Sequence, residues 1–438
     1  MAKRTNDLGR DSVGKLLVRL AVPTVTAQLV NALYNIVDRI YIGHIEEVGD
    51  LALTGLGVCF PVILFVSALS ALVGMGGASR AVVRMGEGSE ERANAILGSC
   101  TTLLTVLGLA ATVVFLAVQE PMLYLFGATE ETIGYAMDYM TIYLLGSIFV
   151  ELSLGLNYFI TAQGFSTMGM MTVLIGAVIN IVLDPVFIFA FDMGVRGAAL
   201  ATITAQAVSA VWVVWFLVGK RTKLRILRRF LRPRWSILAP VLALGLSPFI
   251  MQATESLVNI SFNASLKAYG GNPAVGAMTI CSSVMQVFSL LFQGLSQGAQ
   301  PIVGFNYGSG QLDRVKAAFR LLFISSLVFS CASFAALELL PGVFVSLFND
   351  KPELVEIGVW ALRIYVGCMF MLGIQFACQQ TFVALGQAKI SLFLALLRKI
   401  ILLIPLIFIL PHFFADKVFA VFLAEPVADF LAAATTGT

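Results

Sequence analysis

The first apolar run of the chain ends in "NALYNIVDRIYIG", where polar side chains interrupt a segment that otherwise suits a membrane. Asn31, Asn35 and Asp38 are spaced i, i+4 and i+7, so they share one face of a helix. An ionised carboxylate at mid-bilayer costs about 2.5–3.5 kcal/mol or more, so Asp38 is expected to face the protein interior. A carboxylate kept in such a place indicates a site for a proton or a cation.

The fifth apolar run repeats this pattern in "GAVINIVLDP", where Asn180 and Asp184 are four residues apart. Pro185 cannot donate a backbone hydrogen bond and frees a carbonyl one turn earlier. Thr202 follows in the sixth run. Runs one and five are expected to enter the membrane from the same side, and each has its acid near its C-terminal end. Asp38 and Asp184 should therefore lie at similar depths. Two carboxyl groups in one desolvated pocket repel each other, so one is expected to hold a proton near neutral pH.

The second half of the chain has intramembrane acids of its own. In "QATESLVN", Gln252, Glu255 and Asn259 fall on one helix face, and Glu425 and Asp429 are four residues apart near the end of the chain. The alternative to a functional role is a set of satisfied hydrogen bonds between helices. That alternative stays open for all of these acids and also for Asp38 and Asp184.

For the other ionisable residues in apolar runs, the sequence gives weaker indications of a functional role. Glu151 has no amide or charged neighbour at helical spacing and is interpreted as structural. Arg363, Arg398 and Lys399 are expected to pair with acids or to extend toward the lipid headgroups. A role in binding an anionic substrate is the alternative for these three basic residues.

The composition requires a membrane protein. Of 438 residues, 59% are hydrophobic and only 12% are charged, with a mean hydropathy of +0.92. Soluble domains are typically about 25% charged. A disordered or nucleic-acid-binding protein is therefore excluded, and the lipid bilayer is an expected partner.

Twelve apolar runs are long enough to cross a bilayer, which takes about 20 residues. The continuous runs favour helices over the short alternating strands of a barrel. The predicted spans, in order, are 16–42, 52–84, 93–118, 133–161, 167–191, 196–218, 237–268, 274–304, 315–339, 354–384, 388–410 and 416–437.

The distribution of charge predicts the orientation of these spans. Five Lys and Arg residues precede the first span or lie at its start, and eight lie in "KRTKLRILRRFLRPRW" after span six. Loops on the opposite side, such as "HIEEVGD", are acidic. The positive-inside rule then places both termini and the basic segment in the cytoplasm.

The two halves of the chain resemble each other. "GEGSEERANA" aligns with "GSGQLDRVKA" 222 residues later, and "LFGATEETIGYAMDYMTIY" aligns with "LFNDKPELVEIGVWALRIY" at the same offset. Because each repeat has an even number of spans, six, both repeats enter the membrane from the same side. The repeats are therefore parallel. The sequence predicts an all-α protein with two six-helix bundles, 1–219 and 236–438, joined by a cytoplasmic basic linker at 220–235.

The chain lacks the signatures of several other classes. The six cysteines form no CxxC or Cys/His cluster, so neither a disulfide framework nor a zinc site is indicated. There is no Walker A, HExxH or GxSxG motif. We therefore expect no enzymatic activity and no resident cofactor.

The sequence resembles the multidrug and toxic compound extrusion (MATE) family over essentially its whole length. The resemblance rests on "YNIVDRIYIGHI", "INIVLDPVFIF", "GLSQGAQPIVGFNYGSGQ" and "ALGQAK". The family implies a V-shaped pair of bundles around a central cavity, and alternating access. Its cation site maps onto Asp38, Asn180, Asp184 and Thr202, to which we add Asn35.

A branch of the family also uses an acid in span seven, matched here by Glu255. That branch usually adds an acid in span ten, and "RIYVGCMFMLGIQFACQQTF" has none. Glu255 is therefore assigned to substrate binding or secondary coupling. The other residues assigned to that set are Gln252, Asn259, Tyr34 and Gln286.

The resemblance predicts a monomeric antiporter in the plasma membrane that exports cationic, lipophilic drugs in exchange for H⁺ or Na⁺. Asp38 and Asp184 could coordinate Na⁺ directly. Two alternatives remain. A flippase-type exporter of a lipid-linked or anionic substrate should bring several Lys and Arg side chains to the cavity. A cation channel would conduct without counter-transport.

Overall fold

The computed structural model describes residues 6–45, 48–347 and 352–437. Within these ranges the chain forms helices and no strands. The α-helices are α1 Val13–Gly43, α2 Gly49–Gly86, α3 Glu90–Leu125, α4 Ile133–Leu145, α5 Ser147–Ala162, α6 Ser166–Pro185, α7 Gly194–Val218, α8 Trp235–Gly308, α9 Leu312–Leu339, α10 Pro341–Ser346, α11 Pro352–Tyr365, α12 Met369–Ala384, α13 Ala388–Leu396, α14 Ile404–Ile409 and α15 Lys417–Gly437.

These helices make the twelve predicted spans. In the described ranges, nine helical segments and two bent helix pairs are long and apolar enough to cross a membrane. One of the nine is α8, whose 74 residues would measure about 110 Å if straight, far more than a bilayer core of about 30 Å. The backbone of Gly271 (φ 65°, ψ −160°) breaks α8 into spans seven and eight, giving twelve.

Each half contains one strongly bent span. Span four is the pair α4 and α5, bent by 57°, and span ten is the pair α11 and α12, bent by 50°. At the first bend, a Cβ on Gly146 would lie 2.2 Å from a methyl carbon of Ile203. The missing side chain therefore lets span four bend tightly against α7.

The backbone also repeats in finer detail. Gly88 and Gly310 have positive φ, as do Gly164 and Gly386, and each pair is separated by the 222-residue offset seen in the sequence. Spans five and eleven both contain a π-helical segment, Val186–Ala190 and Leu397–Leu403. These matches confirm the parallel 6+6 repeat.

The two bundles meet where α2 and span eight end. The carbonyl oxygen of Phe305 lies 2.1 Å from where a Cβ on Gly86 would be, and that of Val83 lies 2.0 Å from the same position on Gly308. The start of the chain packs there as well, since the Asn306 amide donates to the Leu8 carbonyl (2.9 Å). We call this the basic end. These contacts join the two bundles at the basic end, as the predicted V requires.

The segment 220–235 also lies at the basic end and is packed against α3 and α5. The Gln163 side-chain oxygen accepts hydrogen bonds from the backbone N–H groups of Lys223 (3.0 Å) and Leu224 (2.8 Å). The backbone N–H of Arg225 donates to Asn94 (2.7 Å). Whether 1–219 and 236–438 are separate domains stays a prediction.

Candidate functional site

The four residues that the resemblance assigned to a cation site converge in the N-terminal bundle. Asp38 lies on α1, Asn180 and Asp184 on α6, and Thr202 on α7. The Asn180 amide nitrogen donates to Asp184 Oδ1 (3.2 Å) and to Thr202 Oγ1 (3.4 Å). The carboxyl groups of Asp38 and Asp184 lie within hydrogen-bonding range of each other. The prediction that the two acids share one depth is therefore confirmed.

Local sequence explains how α6 presents its two polar side chains. A spacing of four residues places Asn180 and Asp184 one turn apart on the same face. Pro185 ends the regular helix, and the π-helical segment Val186–Ala190 follows directly. Such π segments frequently occur at functional sites.

This pocket contains acceptor atoms without donors. Asp184 is 0% exposed, Asn180 is 1% exposed and Asp38 is 8% exposed. Among the hydrogen bonds of the described residues, none reaches Asp38 Oδ1, Asn180 Oδ1 or Asp184 Oδ2. Buried polar atoms are normally paired, so three acceptor oxygens without donors suit a site that binds a proton or a cation.

Two tyrosines lie near the pocket, and sequence reasoning missed both. Tyr139 of α4 lies within hydrogen-bonding range of Thr202 and in electrostatic range of Asp38. Tyr143 stacks on Tyr139 with ring centroids 6.2 Å apart. They are four residues apart in "YAMDYMTIY", so helical spacing was a signal that could have revealed them.

Two other predicted residues lie at the edge of the pocket. Tyr34 is half-buried and lies near Asp38 and Tyr143. Asn35 is exposed, and its amide donates to the Asn31 carbonyl of its own helix (2.7 Å). The roles of Tyr34 and Asn35 stay predictions.

The C-terminal bundle holds a cluster of opposite charges. Glu255 of span seven forms an ion pair with Lys399 of the second π segment. The neighbouring Arg398 pairs with Asp429 (2.7 Å) and Glu425 (3.1 Å) of α15. Three carboxylates thus face two basic side chains, and the expectation that the two basic residues pair with acids is confirmed.

The members of this cluster differ in exposure. The side chain of Glu255 is 51% exposed, whereas those of Lys399 and Arg398 are 10% and 12% exposed. Among described residues, Glu425 Oε2 is left without a donor. Glu255 is therefore the most exposed member of the cluster.

The remaining predicted residues are spread more widely. Gln252 and Asn259 are half-buried, one turn before and one turn after Glu255, while Gln286 of span eight is exposed. Arg363, half-exposed, lies 3.9 Å from Glu338. Functional roles for these four residues stay predictions.

Comparison with known proteins agrees with this architecture. The chain matches the MatE family over residues 23–186 and 248–409, one segment in each half. It is 24% identical over 423 residues to "Multidrug export protein MepA" of Staphylococcus haemolyticus strain JCSC1435, covering 96% of this chain and 92% of that protein.

Solved structures show the same fold. The "MATE multidrug transporter DinF-BH" is 36% identical, with a TM-score of 0.90 over 100% of this chain and 97% of the other. A MATE family transporter described as in an "outward-facing conformation" is 23% identical, with a TM-score of 0.91 over 100% and 97% of the two chains. The chain therefore belongs to the MATE family of multi-pass membrane transporters.

Proposed function

We propose that this protein is a secondary antiporter that exports cationic, lipophilic compounds in exchange for H⁺ or Na⁺. The observation that carries the proposal is the buried pocket of Asp38, Asn180 and Asp184, with its three unpartnered oxygens. Acceptor oxygens without internal donors, beside a second carboxyl group, are suited to take up a proton or a cation and release it again. The relatives named for multidrug export support the substrate class.

The pocket suits either coupling ion chemically. Among the residues that the structure describes, no three His, Cys, Asp or Glu side chains cluster to hold a metal ion. Na⁺ would rely on the carboxylates of Asp38 and Asp184 with the oxygens of Asn180 and Thr202, and hard cations prefer oxygen ligands. A proton would need only one carboxylate.

In the proposed cycle, the ion and the drug bind alternately. The state open away from the basic end takes up the ion at Asp38 and Asp184 and releases the drug. The ion-loaded protein then opens at the basic end, releases the ion and rebinds drug. When one ion is exchanged for one monovalent drug cation, no net charge crosses the membrane, so the concentration gradient of the ion drives export. A tenfold ion gradient supplies about 1.4 kcal/mol, enough for a drug gradient of about tenfold.

The experiment that tests this function is ethidium efflux from proteoliposomes under separately imposed Na⁺ and pH gradients. Efflux driven by either gradient supports the antiporter and identifies its ion. Equal ethidium movement with and without both gradients would contradict coupling. Ion conduction without counter-transport would favour a channel.

We further propose that the protein is a monomer in the plasma membrane with both termini in the cytoplasm. Support comes from the basic residues gathered at one end and from the bacterial origin of the relatives. A cysteine introduced at the exposed Ser236 or at Ser89 is expected to react with an impermeant maleimide only from the cytoplasmic side. Labelling from outside intact cells would contradict this orientation.

We propose that Glu255 contacts cationic substrates, because it is the most exposed acid of the C-terminal cluster and its present partner is an ammonium group. Glu255→Gln is then expected to change the ranking of drugs while ion-driven efflux of at least one persists. Glu356→Gln, a change at an exposed acid of the same bundle, is the control. Uniform loss for every drug in a folded variant would instead make Glu255 a coupling residue.

A further inference from the structure

One buried carboxyl group lies outside both sites described above. Glu151 of α5 is 0% exposed, and neither of its carboxyl oxygens has a hydrogen-bond partner among the described residues. Its spacing gave no reason to expect more than a structural role. A structural acid, however, would be expected to have a partner.

The surroundings of Glu151 offer little to stabilise a negative charge. Ser70 faces the carboxyl from α2, and its hydroxyl, in a long bond to the Val66 carbonyl of its own helix (3.4 Å), is a single weak donor that can turn toward Glu151. Ser153, next along α5, donates to Gln206 of α7 (2.5 Å). Burying an ionised carboxylate without donors is far more costly than burying the neutral acid. The side chain is therefore suited to carry a proton.

A line of three side chains, Tyr139, Tyr143 and Glu151, follows span four. Tyr143 of α4 lies in electrostatic range of Glu151. Tyr143 stacks on Tyr139, which lies within hydrogen-bonding range of Thr202 in the Asp38 pocket.

The line runs along span four toward the basic end. Tyr139, Tyr143 and Glu151 follow one another along α4 and α5, and α5 continues to Gln163, which binds the 220–235 segment. Glu151 therefore lies between the Asp38 pocket and the end at which the proposed cycle releases its ion.

We propose that Glu151 is a second proton-binding site of the N-terminal bundle, placed between the Asp38 pocket and the basic end. A role of this proton in transport rests on the proposed antiport in its H⁺-coupled form. The binding of a proton at Glu151 does not depend on that function.

The test for proton binding is infrared difference spectroscopy of the full-length protein across a pH step. Wild type and Glu120→Gln, a change at an exposed acid of α3, should share a carbonyl-stretch band of a protonated, water-inaccessible carboxylic acid. Glu151→Gln should lack that band. An unchanged band in Glu151→Gln would overturn the proposal whatever the protein transports.

The test for a role in transport is pH-driven ethidium efflux, with proton uptake followed by a dye inside proteoliposomes. Glu151→Met fills the space without binding a proton, so both rates should fall together by about a hundredfold, the lower end of what proton-transfer groups contribute. Glu120→Gln should keep the wild-type rates. Wild-type rates in Glu151→Met would overturn the role in transport. Wild-type protein that ignores a pH gradient would overturn H⁺ coupling, while the infrared test would still decide proton binding at Glu151.

Discussion

Asp38→Asn and Asp184→Asn are each expected to reduce gradient-driven efflux to the level of protein-free liposomes. Asparagine keeps the size of the side chain but cannot gain or lose the proton, and it removes one of the two negative charges that attract a cation. Expression and equilibrium drug binding should be largely unchanged. The measurement is ethidium efflux under imposed pH and Na⁺ gradients.

The double variant is expected to be no worse than either single one, because the two carboxyl groups lie within hydrogen-bonding range and act as a unit. Asp138→Asn is the matched control. Asp138 is partly exposed in an ion pair with Arg196 (2.8 Å), and such surface pairs contribute only about 0–1 kcal/mol. Robust efflux in Asp38→Asn or Asp184→Asn would contradict coupling at this pocket and would redirect attention to Glu255.

Gly86→Ala and Gly308→Ala are expected to abolish efflux for a different reason. Each added Cβ would lie within about 2 Å of a backbone carbonyl oxygen of the facing helix, which cannot move without shifting the whole helix. Overpacking of this kind costs typically about 1–3 kcal/mol, and more when backbone must shift. We therefore expect α2 and span eight to separate at the basic end. The protein then loses the state in which the basic end is closed.

The separation can be measured at Ser79, which is 1% exposed and accepts a hydrogen bond from Gln300 of span eight (2.5 Å). In a cysteine-free background, Ser79→Cys should react slowly with a maleimide, and much faster when Gly86→Ala is added. Gly57→Ala is the control on the same helix, since its Cβ would meet no atom within 4 Å. Wild-type efflux with an unreactive Cys at position 79 in the Gly86→Ala protein would show that the close approach is dispensable.

The sequence by itself determined the elements and their order. In a bilayer, every backbone N–H and C=O must be bonded within the span, so a long apolar run can only be a helix. For this reason hydropathy alone placed the twelve spans, and most of their ends lie within a few residues of the observed ones. The end of span three, predicted at 118, lies at Leu125. The repeat fixed the two-bundle architecture, and the resemblance assigned Asp38, Asn180, Asp184 and Thr202 to one pocket.

Only the tertiary structure decided which helix faces meet. Helical spacing fixes which side chains of one span share a face, but it does not say what stands opposite. That Glu255 faces Lys399, 144 positions later in the chain, depends on how spans seven and eleven pack. Tyr143 and Glu151 are likewise brought into range by the bend at Gly146, where the missing side chain admits Ile203. Such contacts follow from shape complementarity between distant segments, and no local pattern in the sequence encodes that complementarity.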